Sequence, residues 1–429
     1  MNVLLVSSKY PPEYSGSGNR AHATSLRLRE RFGNNIETIC SSVENTESEN
    51  YEVDGIPTSK VISKSLRKID QSLGKGQIRR LTNAAVYHAE ARSVRKLLKS
   101  KQFDLIHVFG YSPATVAAVN WSRDHSVPLM LEIVNNVITP YQYLPGTRRF
   151  RSYDLSKHAV IVAISKHLAE LSESVGLTKN VWTRPNPVDT SRFFPVSKEI
   201  RATTITQQFG FEETDKVIVY VAKFMKQKNH EFLVDVMTHL PENFKLVLAG
   251  PTVTSGELDP GMTAAQLPEF LERINAKNLS ERVKVIADLV DTAELLKGAD
   301  VFCFPAENEA MGTPLLEALA SGTPTVANKN EPSFAEWITD NENGFLTELD
   351  PSKWAAAIQK SAEFGETKNN GISAAIKAQV SSKLIDHQYF QLMTKLVTST
   401  PDHTIDVAQV LSSSLHTQRF STISSDQNC

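Results

Sequence analysis

The chain is poor in cysteine: among its 429 residues only Cys40, Cys303 and Cys429 occur. They lie too far apart for a disulfide framework or a metal-ligand cluster. So few thiols suit a reducing compartment, and the cytoplasm is the expectation. An excess of either charge is also missing. With 46 Lys+Arg against 48 Asp+Glu the net charge is -2, which excludes a nucleic-acid binder of the strongly basic kind. No apolar run approaches the roughly 18–20 residues of a membrane span, and no signal-peptide hydrophobic region opens the sequence. What is present is an ordinary core: 41% hydrophobic and 22% charged residues exclude global disorder. At roughly 100–200 residues per domain, the length calls for two domains.

Short continuous apolar runs recur at 3–6, 105–108, 129–134, 159–164, 217–221, 245–249, 283–286, 301–304 and 325–327. Such runs suit strands buried on both faces of a parallel sheet. Helical patterns separate them, so the chain reads as βαβ units with right-handed crossovers. There are enough strands for two sheets. Pro185 and Pro187 break the pattern, and a fresh strand opens at Val217. The expected fold is therefore α/β, with two doubly wound domains facing a cleft. The expected boundaries are an N-terminal domain over 1–190 and a C-terminal domain over 191–380. A helix over 381–398 packs back on the first domain, and a disordered tail covers 399–429.

Residues 299–327 carry the most chemistry and read as strand, acidic loop, helix, strand. Thr313 as N-cap with Pro314 at the first helical position marks the helix start, and Gly322 marks its stop. The free amides of such an N-terminus suit a phosphate or pyrophosphate, and Gly312 lets a ligand approach the backbone. Glu309 and Glu317 flank those amides. Carboxylates beside an anion site need hydroxyls to bind, which suits a nucleotide-diphosphate sugar. The plainer alternative is a solvated helix start, where acidic residues are common. Cys303 reads as core.

The spacing of Glu309 and Glu317, followed by Ala318, Ala320, Gly322 and Pro324, resembles the retaining GT-B glycosyltransferases of glycosyltransferase family 4. The likeness extends over residues 1 to about 350. It includes 160–165, 184–189 with Phe193-Phe194-Pro195, then 219–229, and finally 332–338 with Asn343-Gly344-Phe345-Leu346. The resemblance implies that Glu309 binds donor-sugar hydroxyls and Glu317 the nucleotide ribose. Amides of Met311, Gly312, Thr313 and Leu315 would meet sugar and diphosphate. Lys223 and Lys228 would neutralise the leaving diphosphate. It implies no metal or other cofactor, and the sequence has no Asp-x-Asp motif. The loop from Ser7 to Gly18 is similar to the family's first loop, with Gly16 and Gly18 letting amides approach a phosphate before a helix beginning near Asn19. Glu336 is a further donor-side candidate.

Several positions depart from the family pattern. Phe109 stands where a histidine is frequent, and Asn135 or Asn136 where a second one is. His107 is the remaining histidine candidate for catalysis; a satisfied buried histidine is the plainer alternative. Lys223 replaces an arginine, which keeps the charge but loses the bidentate fork. Ala222 and Pro187 replace glycines. Between residues 60 and 101 basic residues dominate, and Arg148, Arg149 and Arg151 add a second basic cluster. An ordinary solvated helix and a surface for anionic membrane or a lipid-diphosphate acceptor both fit this asymmetry. The expected partners are a nucleotide sugar and a glycan or lipid-linked acceptor, without nucleic acid. A GT-B epimerase or phosphorylase and a non-catalytic glycan- or membrane-binding scaffold are the alternatives.

Overall fold

The computed structural model describes residues 1–13, 15–41, 48–61, 77–110, 112–134, 159–174, 176–253, 261–288, 291–399 and 405–412, with backbone alone at 77–84 and 86–87. Two compact units result: Met1–Arg184 with Ile385–Cys429, and Pro185–Leu384. The break thus falls at 184/185 rather than at 190/191, and the later residues rejoin the first unit from Ile385.

The first unit holds an eight-stranded sheet in the order β3-β4-β2-β1-β5-β6-β7-β8. Its strands are β1 (Asn2–Ser7), β2 (Asn35–Cys40), β3 (Glu49–Val53), β4 (Ile56–Lys60), β5 (Leu105–Phe109), β6 (Leu129–Ile133), β7 (Ala159–Ala163) and β8 (Val181–Thr183). All pair in parallel except β3 with β4. The apolar runs account for the central strands: every residue of β5, β6 and β7 is buried. Each fully buried Val, Leu or Ile stabilises the sheet by about 1.5–3 kcal/mol. The β3–β4 hairpin closes through Asp54 and Gly55, both at positive φ (48° and 74°), the geometry of a tight primed turn.

The helix Ser382–Thr398 is tied to this first unit by charge. Asp386 is wholly buried and accepts from Arg27 Nε at 2.9 Å and Arg31 Nη1 at 2.6 Å. Phe390 stacks on Phe32 with ring centroids 4.4 Å apart. Within the stretch expected to be a structureless tail, residues 407–412 are helical and Ile405 is buried. Residues 400–404 and 413–429, together with Asn135, Asn136, Arg148, Arg149 and Arg151, lie outside the described residues.

The second unit holds a six-stranded parallel sheet in the order β11-β10-β9-β12-β13-β14. Its strands are β9 (Lys216–Val221), β10 (Phe244–Ala249), β11 (Val283–Ile286), β12 (Val301–Phe304), β13 (Thr325–Asn328) and β14 (Gly344–Thr347). The chain enters at β9, winds outward to β11, then returns to β12 on the other side of β9. Strands β9 and β12 therefore diverge in connection at a topological switch point, where open α/β sheets place their ligands. Cys303 on β12 is fully buried core.

Candidate active site

Three strand exits of the second unit meet at that switch point. From β9 come Lys223 and the single turn Lys226–Lys228. From β12 comes the acidic loop that leads into the helix Thr313–Ala320. From β13 comes Glu331, which is 5% exposed.

Lys228 Nζ forms an ion pair with the Glu309 carboxylate and lies 5.9 Å from the centroid of the Phe304 ring. The Glu309 N–H donates to Glu331 Oε2 at 3.0 Å, and Ser333 Oγ donates to the Glu309 carbonyl at 3.1 Å. A second tie joins the loops. Asn229 Nδ2 donates to the Pro305 carbonyl at 2.9 Å and to Glu307 Oε2 at 3.0 Å. Asn229 and Asn308 both sit at positive φ (53° and 58°), so each loop makes a left-handed step beside the site. Asparagine tolerates that step better than other residues with a side chain.

The helix start differs from the expected one. Gly312, not Thr313, is the N-cap, at φ 72° and ψ 67°. A Cβ on Gly312 would lie 2.4 Å from Phe304 Cε1 and 3.0 Å from Phe334 Cε1. Those two rings stack with centroids 4.8 Å apart, so position 312 admits only glycine. Thr313 is the first helical residue, and its Oγ1 accepts from Asn186 Nδ2 at 2.8 Å. The Leu315 N–H donates to the Gly312 carbonyl at 3.0 Å and is therefore not a free donor. Among the described residues, no backbone carbonyl accepts from the amides of Met311, Gly312 or Thr313. These are the unsatisfied amides that any helix N-terminus presents.

Burial has shifted two groups against their charge. The Lys228 ammonium is pulled down to about 8, chiefly by desolvation, with Glu331 opposing the shift. The Glu317 carboxyl, one turn into the helix, is pushed up to about 7 by desolvation, with Arg192 opposing and Asp291 assisting. Arg192 itself pairs with Asp291 at 2.6 Å. Behind the β9 exit, His230 stacks on Phe224 at 4.0 Å and donates from Nε2 to the Ala222 carbonyl at 3.2 Å. Its burial holds it neutral, down to about 3. Both groups are driven toward their neutral forms, a kind of perturbation that clusters at functional sites. Glu336 is the C-cap of the short helix Pro332–Ala335; a carboxylate that sequence reading missed, Glu331, bonds the Glu309 N–H.

In the first unit the loop after β1 runs into a helix that starts at Gly16, not near Asn19. Ser15 is its N-cap, and its side chain accepts from the Gly18 N–H at 2.9 Å. The Gly18 amide is thus occupied. A Cβ there would lie 2.6 Å from the Lys9 carbonyl oxygen, so Gly18 serves close packing of loop on helix. Gly16 has open space around it. His107 lies at the middle of β5 rather than at its end, in register with Leu5 and Met130. It is 2% exposed, and its Nε2 bonds Glu132 Oε1 at 3.0 Å. Burial alone would raise the Glu132 carboxyl. Arg184, with Nη2 at 2.7 Å, and hydrogen bonds from His107 and Tyr389 instead hold it below the ordinary carboxylate range. His107 is in place as a partner of a buried carboxylate, which is the plainer of the two expected roles.

Residues 202–378 match the family model "Glycosyl transferases group 1", and residues 14–192 match "Glycosyltransferase Family 4". The chain belongs to glycosyltransferase family 4. This family 4 glycosyltransferase is 32% identical over 181 residues to mannosylfructose-phosphate synthase of Agrobacterium fabrum, a match covering 41% of this chain and 38% of that protein. The chain thus spans well under two thirds of that relative. It is 23% identical over 315 residues to N-acetyl-alpha-D-glucosaminyl L-malate synthase of Bacillus anthracis, covering 70% of this chain and 77% of the relative. Among solved structures, the Anabaena HepE protein in complex with UDP and glucose superimposes with a TM-score of 0.66 at 17% identity, over 92% of this chain and 99% of that one. That likeness establishes the GT-B fold.

Proposed function

We propose that the protein moves a sugar, with retention of anomeric configuration, from a nucleotide-diphosphate sugar to a hydroxyl of a glycan or lipid-linked glycan. The observation that carries this reading is the Lys228–Glu309 pair at the switch point, beside the open amides of Met311, Gly312 and Thr313. An ammonium and a carboxylate that neutralise each other can part when a ligand offers each a better partner. The diphosphate takes Lys228 and the amides. The sugar hydroxyls take Glu309. Glu317, already inclined toward its neutral form, hydrogen-bonds the ribose hydroxyls at little desolvation cost. The complex of HepE with UDP and glucose supports a donor of this class.

As the glycosidic bond breaks, negative charge grows on the diphosphate. Lys223 and Lys228 then stabilise the transition state more than the ground state, which is the condition for catalysis. The leaving diphosphate departs from the face on which the acceptor attacks, and one of its oxygens takes the acceptor's proton. No histidine base is required by that course, in keeping with Phe109 and with the engagement of His107 by Glu132.

We further propose that the protein works in the cytoplasm against an anionic membrane surface. Arg92, Arg95, Lys96 and Lys99 are all exposed on the helix Gln77–Ser100, at spacings that place them on one side. Each contributes on the order of 1 kcal/mol near anionic lipid.

Calorimetric titration with UDP, GDP, ADP and CMP, on the wild type and on Glu317→Ala, tests the donor site. Micromolar binding of one nucleoside diphosphate, weakened at least tenfold in the variant, is the expected result. Failure of all four to bind overturns the reading in favour of a scaffold.

A further inference from the structure

We propose that Glu331 is a positioning residue of this site: its buried carboxylate fixes the Glu309 backbone and is the standing counter-charge that keeps Lys228 an ammonium. The hydrogen bonds supply the first half, and the second rests on the same contact, which sets the Glu331 carboxylate beside the residue whose side chain pairs with Lys228. Glu331 Oε2 accepts from the Glu309 N–H at 3.0 Å, which anchors the acidic loop from the neighbouring strand exit. Ser333 Oγ, two residues beyond Glu331, holds the Glu309 carbonyl at 3.1 Å, so one short segment grips both sides of the residue.

Four groups face Lys228: the Glu309 carboxylate, the Phe304 ring, His230 and Glu331. The ring carries no net charge and the histidine is held neutral by burial. Among the described residues, two carboxylates therefore balance the ammonium. Glu309 is the one that must leave when it turns to a ligand's hydroxyls. Glu331 cannot follow it, because its oxygen is committed to a backbone amide. It is thus the charge that remains when Lys228 is otherwise least supported. The step from this coupling to catalysis rests on the proposed function above; the coupling itself does not.

The test is pH-dependent labelling of the Lys228 amine with an amine-specific acylating reagent, read by peptide mass spectrometry. In the wild type the half-point is expected near pH 8. Glu331→Gln keeps an oxygen for the Glu309 N–H but removes the charge. Its half-point is expected to fall by about one unit, roughly a tenfold gain in free amine at neutral pH. Glu331→Asp retains the charge and is expected to lie closer to the wild type than Glu331→Gln does. A half-point that stays or rises in Glu331→Gln overturns the proposal, as does an Asp variant that shifts as far as the Gln variant. Nucleotide titration of the same wild-type sample separates the two ideas. Absence of nucleotide binding with a Glu331-dependent half-point overturns the proposed function alone; nucleotide binding with an unmoved half-point overturns the role of Glu331 alone.

Discussion

Two of the molecule's buried charge clusters, one in each unit, are electrostatic opposites. Around Glu132, the carboxylate and its guanidinium partner are both held in their charged states. The carboxyl is held low and the Arg184 guanidinium is raised by Glu132 despite its burial. Tyr389 Oη donates to Glu132 Oε1 at 2.5 Å, completing the set. Around Lys228 and Glu317, both shifts disfavour the charged state. The first cluster has found its partners within the chain. The second has one pair and a row of open amides. A buried charge that is fully answered keeps its charged state; a buried charge that is under-answered is driven toward its neutral one.

The sharpest way to break this comparison is to remove one charge from each cluster. Glu132→Ala leaves Arg184 buried without its carboxylate, and breaking such a pair costs about 3–5 kcal/mol. Urea denaturation is expected to show a loss of that size. Lys228→Met at the other cluster is expected to lower kcat by about 10²–10³, the cost of losing one preorganised charge-stabilising group, or about 3–4 kcal/mol of barrier. Its unfolding free energy is expected to change far less than that of Glu132→Ala, because desolvation already penalises the ammonium. Equal stability losses in the two variants would erase the distinction between the clusters.

The two clusters also differed in how far the sequence exposed them. Apolar runs located β1, β5, β6, β7 and β9 to β13, since strands buried on both faces read as unbroken hydrophobic segments. The first unit's edge was harder. β2 (Asn35-Ile36-Glu37-Thr38-Ile39-Cys40) mixes polar residues into a strand, and β3 and β4 form a half-exposed hairpin whose only strong signal is Asp54-Gly55. β14 begins on Gly344, which reads as loop. At the site, Glu309, Gly312 and Lys228 were legible because local chemistry marks them. Glu331 was not: its partner is a backbone amide 22 residues away, and nothing in its neighbours announces that. Thr313-Pro314 reads as cap and first turn, yet the left-handed Gly312 takes the cap, where a side chain would collide with the stacked Phe304 and Phe334 rings. The choice between the two roles of His107 was not legible, because its role depends on Glu132, one strand over.

The smallest expected effect sharpens the comparison through pH. Glu132 has a folded-state pKa below its unfolded value, so its contribution is present above about 4.5 and is lost as the pH falls below that. Glu317 has the opposite sign. Its folded pKa of about 7 lies above the unfolded 4.5, so between these values the folded state binds the extra proton. Stability contributed by Glu317 is therefore full below about 4.5 and is lost as the pH rises to about 7. Glu317→Gln, which cannot ionise, is expected to flatten that decline and to be more stable than the wild type at neutral pH by on the order of 1 kcal/mol, since solvent still reaches the carboxyl and screens part of the shift. Paired urea titrations at acidic and neutral pH measure it directly. A wild-type advantage at neutral pH would mean that the Glu317 carboxylate is answered by Arg192 as fully as Glu132 is by Arg184, and that its burial marks packing rather than a ribose site.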